Sequence, residues 1–114
     1  RARIDRAKGK TGVGGDEVRR AARVDANQSK VVAALREIGA TVEPIHMLGR
    51  GVPDLLVGYC GRNLLLEVKD GDKPPSARKL TTDEQEWHSN WRGDVMVVNS
   101  ADEAVFKVME LLPF

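Results

Sequence analysis

The sequence predicts an α/β domain with its elements in the order αβββαβα. Apolar residues at helical spacing alternate with short apolar runs of strand length, and Gly- or Pro-containing breaks separate the two patterns. Acid or hydroxyl residues followed three positions later by Glu or Gln stand where helices should start. At 114 residues the chain is one domain's worth, with room for one modest core and a compact site.

The formal charge of +1 conceals an uneven distribution. Residues 1–30 hold nine Lys/Arg against four Asp/Glu, whereas residues 31–114 hold nine against thirteen. A net +5 at the front and −4 in the body suit a basic arm that meets nucleic acid, although solvated charge runs are common. "RARIDRAKGKTGVGG" has little apolar surface to bury, and "DEVRRAARV" can be helical with Arg19, Arg20 and Arg23 along one side. The division expected is a basic arm over 1–24, partly flexible or helical, and a folded domain over 25–114. Cys60 is the only cysteine, which excludes an intrachain disulfide and a cysteine zinc cluster and fits a reducing, cytoplasmic setting. No run approaches the roughly 20 apolar residues of a membrane span.

Asp25 and Gln28 form a D-x-x-Q capping pattern before a helix with Val31, Val32, Leu35 and Ile38 on one face, stopped by Gly39. Thr41–His46 is a short strand, and "MLGRG" a turn. Val52–Gly58 and Asn63–Lys69 read as an antiparallel hairpin around "YCGR", the second strand apolar enough at Leu64, Leu65 and Leu66 to lie inside a sheet. Pro74 and Pro75 enforce a loop. Thr81 and Glu84 make a capping box for a helix bearing Trp87 and Trp91, which Gly93 ends. Val95–Val98 is an apolar strand, and Ser100 with Glu103 opens a last helix with Val105, Val108, Met109 and Leu112 on one face.

Three charges interrupt the apolar hairpin: Asp54, Glu67 and Lys69. A carboxylate in an apolar strand needs an ion pair, hydrogen bonds or a metal to offset its desolvation. Glu67 and Lys69, two apart, project to the same face. If the neighbouring strand brings Asp54 across, two carboxylates and an ammonium converge. Such hard oxygen ligands suit Mg²⁺, which accepts one or two carboxylates plus a substrate phosphate and keeps several waters. A metal held by Asp54 and Glu67, with the backbone carbonyl of Val68 available beside them, activates a phosphodiester toward water, and Lys69 orients or stabilises the attacking hydroxide.

"GVPD", followed after twelve residues by "EVK", resembles the P-D…(D/E)-x-K signature of the restriction-endonuclease-like nucleases. From "NQSKVVAALREIGATV" through "GRGVPDLLVGYCGRNLLLEVKDG" to "KLTTDEQEWHSNWRG" the chain resembles their VRR-NUC branch over roughly residues 26–110. The resemblance implies a mixed β-sheet flanked by helices and Mg²⁺- or Mn²⁺-dependent cleavage of DNA to 5′-phosphate and 3′-hydroxyl ends. It further implies a homodimer acting on branched DNA, as a Holliday junction resolvase does, in a bacterial cell or phage-infected host. Asp54, Glu67 and Lys69 fall on its catalytic positions. Gln28 stands where the first helix commonly brings a glutamate near the metal; its carbonyl can ligate but carries no charge. Glu84 stands where a glutamine is common and, as part of a capping box, has a structural role available.

Arg50, Lys73, Arg78 and Lys79 can reach phosphates from loops beside the site or simply be solvated. A tryptophan pair on one helical face is ordinarily core, which is the expectation for Trp87 and Trp91, with base stacking or a dimer contact as alternatives. His46 and His88 are expected to be satisfied by local hydrogen bonds. Two other functions fit the same residues: a non-catalytic nucleic-acid-binding module on a nuclease scaffold, and a sequence-specific nickase or homing-type endonuclease.

Overall fold

In the computed structural model the described residues are 15–111, with side chains described over 26–110. The core forms where the apolar stripe of the first helix, α1 (Gly15–Glu37), meets one face of a four-stranded sheet. Val31 and Leu35 of that stripe are fully buried. Gly39, at φ +95°, closes the helix: its N–H bonds the Arg36 carbonyl at 3.0 Å and that of Ala40 reaches Leu35 at 3.1 Å. α1 runs unbroken through Asp25, so the D-x-x-Q pattern caps nothing. No Gly or Pro lies between residues 16 and 37 to stop the helix, and Ala-rich sequence favours its continuation. Arg19, Arg20 and Arg23 lie on its first turns, where side chains fall outside the described residues, as do residues 1–14 and Leu112 altogether.

The strands are β1 (Thr41–Pro44), β2 (Leu55–Tyr59), β3 (Arg62–Val68) and β4 (Val95–Val98), in that spatial order. β1–β2 and β2–β3 are antiparallel and β3–β4 parallel, giving the mixed sheet expected. The β2–β3 connection is a two-residue turn with Cys60 at φ +52° and Gly61 at φ +79°, the left-handed pair that matches strand twist in a tight hairpin. β3 is interior, as its leucines predicted. Two strand limits move: His46–Leu48 is a 3₁₀ turn, and β2 begins only at Leu55, after Pro53.

Leu55 pairs with Leu66 and Val57 with Leu64, so these four share a face, packed against Val31, Leu35 and two residues of the last helix, Ala104 and Val108. That helix, α3 (Ala101–Leu111), starts where the Ser100 hydroxyl accepts the Glu103 N–H at 3.0 Å. Met109, expected to face inward, is half exposed, because Ala104 and Val108 set the inward stripe four residues apart. The crossover from β3 to β4 carries a 3₁₀ turn (Pro75–Ala77) and α2 (Thr82–Asn90). Both bonds of the Thr81–Glu84 capping box are present. α2 has no buried residue, and neither Trp87 within it nor Trp91 at its C-cap belongs to the core cluster.

Candidate metal and phosphodiester site

Register builds the site. Since Leu55 lies opposite Leu66, extending the antiparallel ladder by one residue sets Asp54 opposite Glu67. Strand alternation turns both away from the face that packs on α1 and α3. Asp54 sits in the bend before β2, where its backbone carbonyl accepts the Ile45 N–H at 2.8 Å and its carboxylate Oδ2 accepts the Val68 N–H, also at 2.8 Å. It is thus clamped between β1 and β3. Glu67 is buried, 3% exposed, and its Oε1 has no hydrogen-bond partner. Lys69 Nζ lies 3.6 Å from Glu67 Oε2 and donates to Glu84 Oε1 at 2.8 Å. The structure therefore brings Asp54, Glu67 and Lys69 together and adds Glu84 from α2.

Glu84 does two jobs with one oxygen. Oε1 accepts the Thr81 N–H at 2.9 Å as part of the capping box and the Lys69 ammonium at 2.8 Å. Its sequence signal was its position in the T-x-x-E pattern, which accounts for the first bond only. Asn27 had no signal. Its Nδ2 donates to the Lys69 carbonyl at 2.7 Å and lies 3.4 Å from the Asn99 carbonyl, so one α1 side chain ties down the chain just past β3 and β4.

Gln28 is buried at the end of the Val31–Leu35 stripe, with Nε2 3.3 Å from His46 Nδ1. If that amide donates, Nδ1 accepts and the ring proton sits on Nε2. His46 in turn acts electrostatically on Asp54. His88 departs from expectation: its Nε2 is buried with no hydrogen-bond partner, while its ring meets Trp87 edge-on at 6.1 Å. The mostly apolar indole surface beside it supplies no acceptor. Arg78 Nε donates to the Lys73 carbonyl at 2.8 Å, bracing the loop; Lys73, Lys79 and Arg50 are exposed.

Charge is out of balance here. Three carboxylates, Asp54, Glu67 and Glu84, surround one ammonium. Burial pushes Glu67 up to about 9, and the charges of Asp54 and then Glu84 push it the same way. Burial also raises Asp54, against the pull of the Val68 N–H. Burial disfavours the Lys69 ammonium, yet the Glu84 hydrogen bond and the nearby carboxylates outweigh it and leave its pKa raised. Burial likewise disfavours the Glu84 charge, but the Lys69 and Thr81 hydrogen bonds win and lower it. For His88 burial dominates and lowers the pKa, disfavouring the charged ring.

Among the described residues no group of three or more His, Cys, Asp or Glu side chains is arranged to hold a metal ion. A cation at Asp54 and Glu67 would have to complete its shell with backbone carbonyl, water or substrate oxygen. Among the same residues no helix is long and apolar enough to cross a membrane.

No protein-family model matches the sequence, and no curated protein matches it. The fold does match a solved structure described as a VRR_NUC domain, with TM-score 0.59 and 24% identity over 78% of this chain and 97% of that one. At that identity the likeness shows the fold: a mixed sheet flanked by helices, shared with a VRR_NUC domain.

Proposed function

We propose that this chain is an endonuclease that hydrolyses DNA phosphodiester bonds with Mg²⁺ or Mn²⁺, acting on branched or otherwise structured DNA as a homodimer. One observation carries the reading: two facing carboxylates, one buried with an unpartnered oxygen, lie beside a lysine fixed by a third acid. Two facing carboxylates and an orphaned buried oxygen are hard donors of the kind a divalent cation takes, so the residues present fit the ion. Asp54 and Glu67 would hold it, joined by the Val68 backbone carbonyl and, through its amide oxygen, Gln28. When bound, such an ion polarises a phosphoryl oxygen and offsets charge developing on it.

The chain's own residues supply the rest. Against its burial, the Glu84 hydrogen bond and the charge of Glu67 favour the Lys69 ammonium and raise its pKa. That ammonium orients an attacking water oxygen or stabilises the phosphorane's negative charge. Glu84 fixes the ammonium's position. Gln28 holds the His46 ring, which acts electrostatically on Asp54. Arg50, Lys73, Arg78 and Lys79 on the loops, with Arg19, Arg20 and Arg23 on α1, supply the cations for phosphate contact, and residues 1–14 extend that contact along the backbone.

Labelled duplex, flap, fork and four-way junction DNAs, incubated with Mg²⁺ or Mn²⁺ and with an EDTA control, test the reading. Metal-dependent cutting concentrated on the branched substrates is expected. Asp54→Ala and Lys69→Ala should each lower cleavage by about a hundredfold or more while DNA binding persists. An Asp54→Ala protein that cuts at the parent rate removes the assignment. Removing residues 1–14 from Asp54→Ala should flatten the salt dependence of its DNA affinity, and an unchanged slope dismisses the arm.

A further inference from the structure

The tryptophans of α2 remain unexplained by the core and by the cluster above. Trp87 and Trp91 stack on each other, centroids 4.6 Å apart and planes 18° off parallel, and Trp91 is 46% exposed. Leaving a large indole face in water forgoes burial that the fold could use. The shelf is also held in place. A Cβ at Gly93 would come within 2.9 Å of the Trp91 indole Nε1, so the chain turns back directly against the ring.

These indoles form one side of a cleft of about 470 Å³, lined also by Arg50, Asp83, Glu86 and Asn90, a size typical of sites for small organic groups. Arg50 reaches the cleft from a loop of left-handed backbone. Gly49, Arg50 and Gly51 have φ of +69°, +55° and +83°, and Gly51 sits against the Asp83 carbonyl where any side chain would collide. A non-glycine residue at positive φ is costly, so the contacts of the loop must offset the conformation that brings Arg50 to the cleft.

Both sides are tied through the chain to the candidate site: Arg50 stands four residues before Asp54, and Glu84, which grips Lys69, follows Asp83 on α2. We infer that this cleft binds one unpaired nucleobase of the DNA strand, next to the phosphate being cut. The inference rests on the nuclease reading of the neighbouring cluster and adds a specificity site to it. A base offers its face to an indole only when it is out of the duplex stack. Asp83 and Glu86 repel a phosphate but accept hydrogen bonds from an exocyclic base amine, as carboxylates do from cytosine. Arg50 remains to neutralise the phosphate attached to that base.

The two tryptophans are the only ones in the chain, so their fluorescence reports on the cleft. Full-length Asp54→Ala protein in EDTA is titrated with a short deoxycytidine oligomer, with a blunt duplex, and with a peptide of residues 1–14. The single strand should quench the emission, and the duplex and peptide should not. Adding Trp91→Leu should weaken oligomer binding by about tenfold or more, whereas Trp91→Phe, which keeps a stacking face, should retain most of it. Circular dichroism confirms that both variants are folded; should Trp91→Leu unfold, Arg50→Ala, expected to weaken oligomer binding without removing the shelf, takes its place. Equal quenching by duplex, a response to the peptide alone, or undiminished binding by the folded substitution overturns the inference. Oligomer quenching without metal-dependent cleavage by the unmutated protein would leave the cleft standing and remove the nuclease reading. Cleavage with no effect of Trp91→Leu on binding would do the reverse.

Discussion

Glu67 is the residue whose environment departs furthest from what water would give it. Its pKa rises from 4.5 to about 9 because it is buried and faces Asp54. In the unfolded chain the carboxyl ionises above 4.5, whereas the fold keeps it protonated up to about 9. The unfolded state thus binds fewer protons across that window, and stability falls as pH rises. In EDTA the melting temperature should therefore decline from mildly acidic toward alkaline pH, and Glu67→Gln should flatten the decline. A flat profile for the parent protein contradicts the assigned environment. At the alkaline end Mg²⁺ should raise the melting temperature of the parent more than that of Glu67→Gln, since binding to the folded state alone stabilises it. The charged triplet was visible in the sequence because Asp54, Glu67 and Lys69 interrupt apolar runs. Gln28 stood out only through the resemblance, and Asn27 gave no signal at all on a mostly polar helix.

At the scale of elements, loop and helix meet through glycine. Gly51, with φ +83° and the Asp83 carbonyl in the place of a side chain, seats the loop before Asp54 against the start of α2. Gly51→Ala should destabilise the fold by about 1–3 kcal/mol in urea unfolding and lower cleavage as Glu84 shifts from Lys69. Gly61→Ala is the control: φ is +79° but nothing crowds the position, so about 1 kcal/mol of backbone cost is all that is expected. Equal losses would show that the contact with α2 contributes nothing. Elements themselves were largely legible, since the capping box at Thr81, the Ser100 hydroxyl cap and the stop at Gly39 depend on neighbours within a few residues; at Ser100 the Glu103 carboxylate accepts the Asn99 N–H rather than completing a box. The Asp25 signal misled because an acid followed by glutamine also occurs inside helices, and only what precedes it decides.

Across the whole molecule, α1 and α3 cover one face of the sheet and leave apolar surface outward. Phe106 is 63% exposed and Met109 50%, along a cleft shared with Ile38 and Val105. This exposed apolar strip is the surface on which the proposed homodimer is tested. Sedimentation should show a dimer that Phe106→Glu converts to monomer with its circular dichroism unchanged. A monomeric parent removes the dimer from the proposal.

The sequence by itself determined the order of elements, the interior position of β3 and the convergence of Glu67 with Lys69. Each follows from local spacing: alternation along a strand, or capping within one turn. Only tertiary structure decided that Asp54 faces Glu67, that Glu84 serves the lysine as well as its own helix, and that the tryptophans look outward. Periodicity tells which residues of an element share a face. What lies across from that face depends on strand register and on how the crossover returns, and both are settled by packing between residues far apart in the chain.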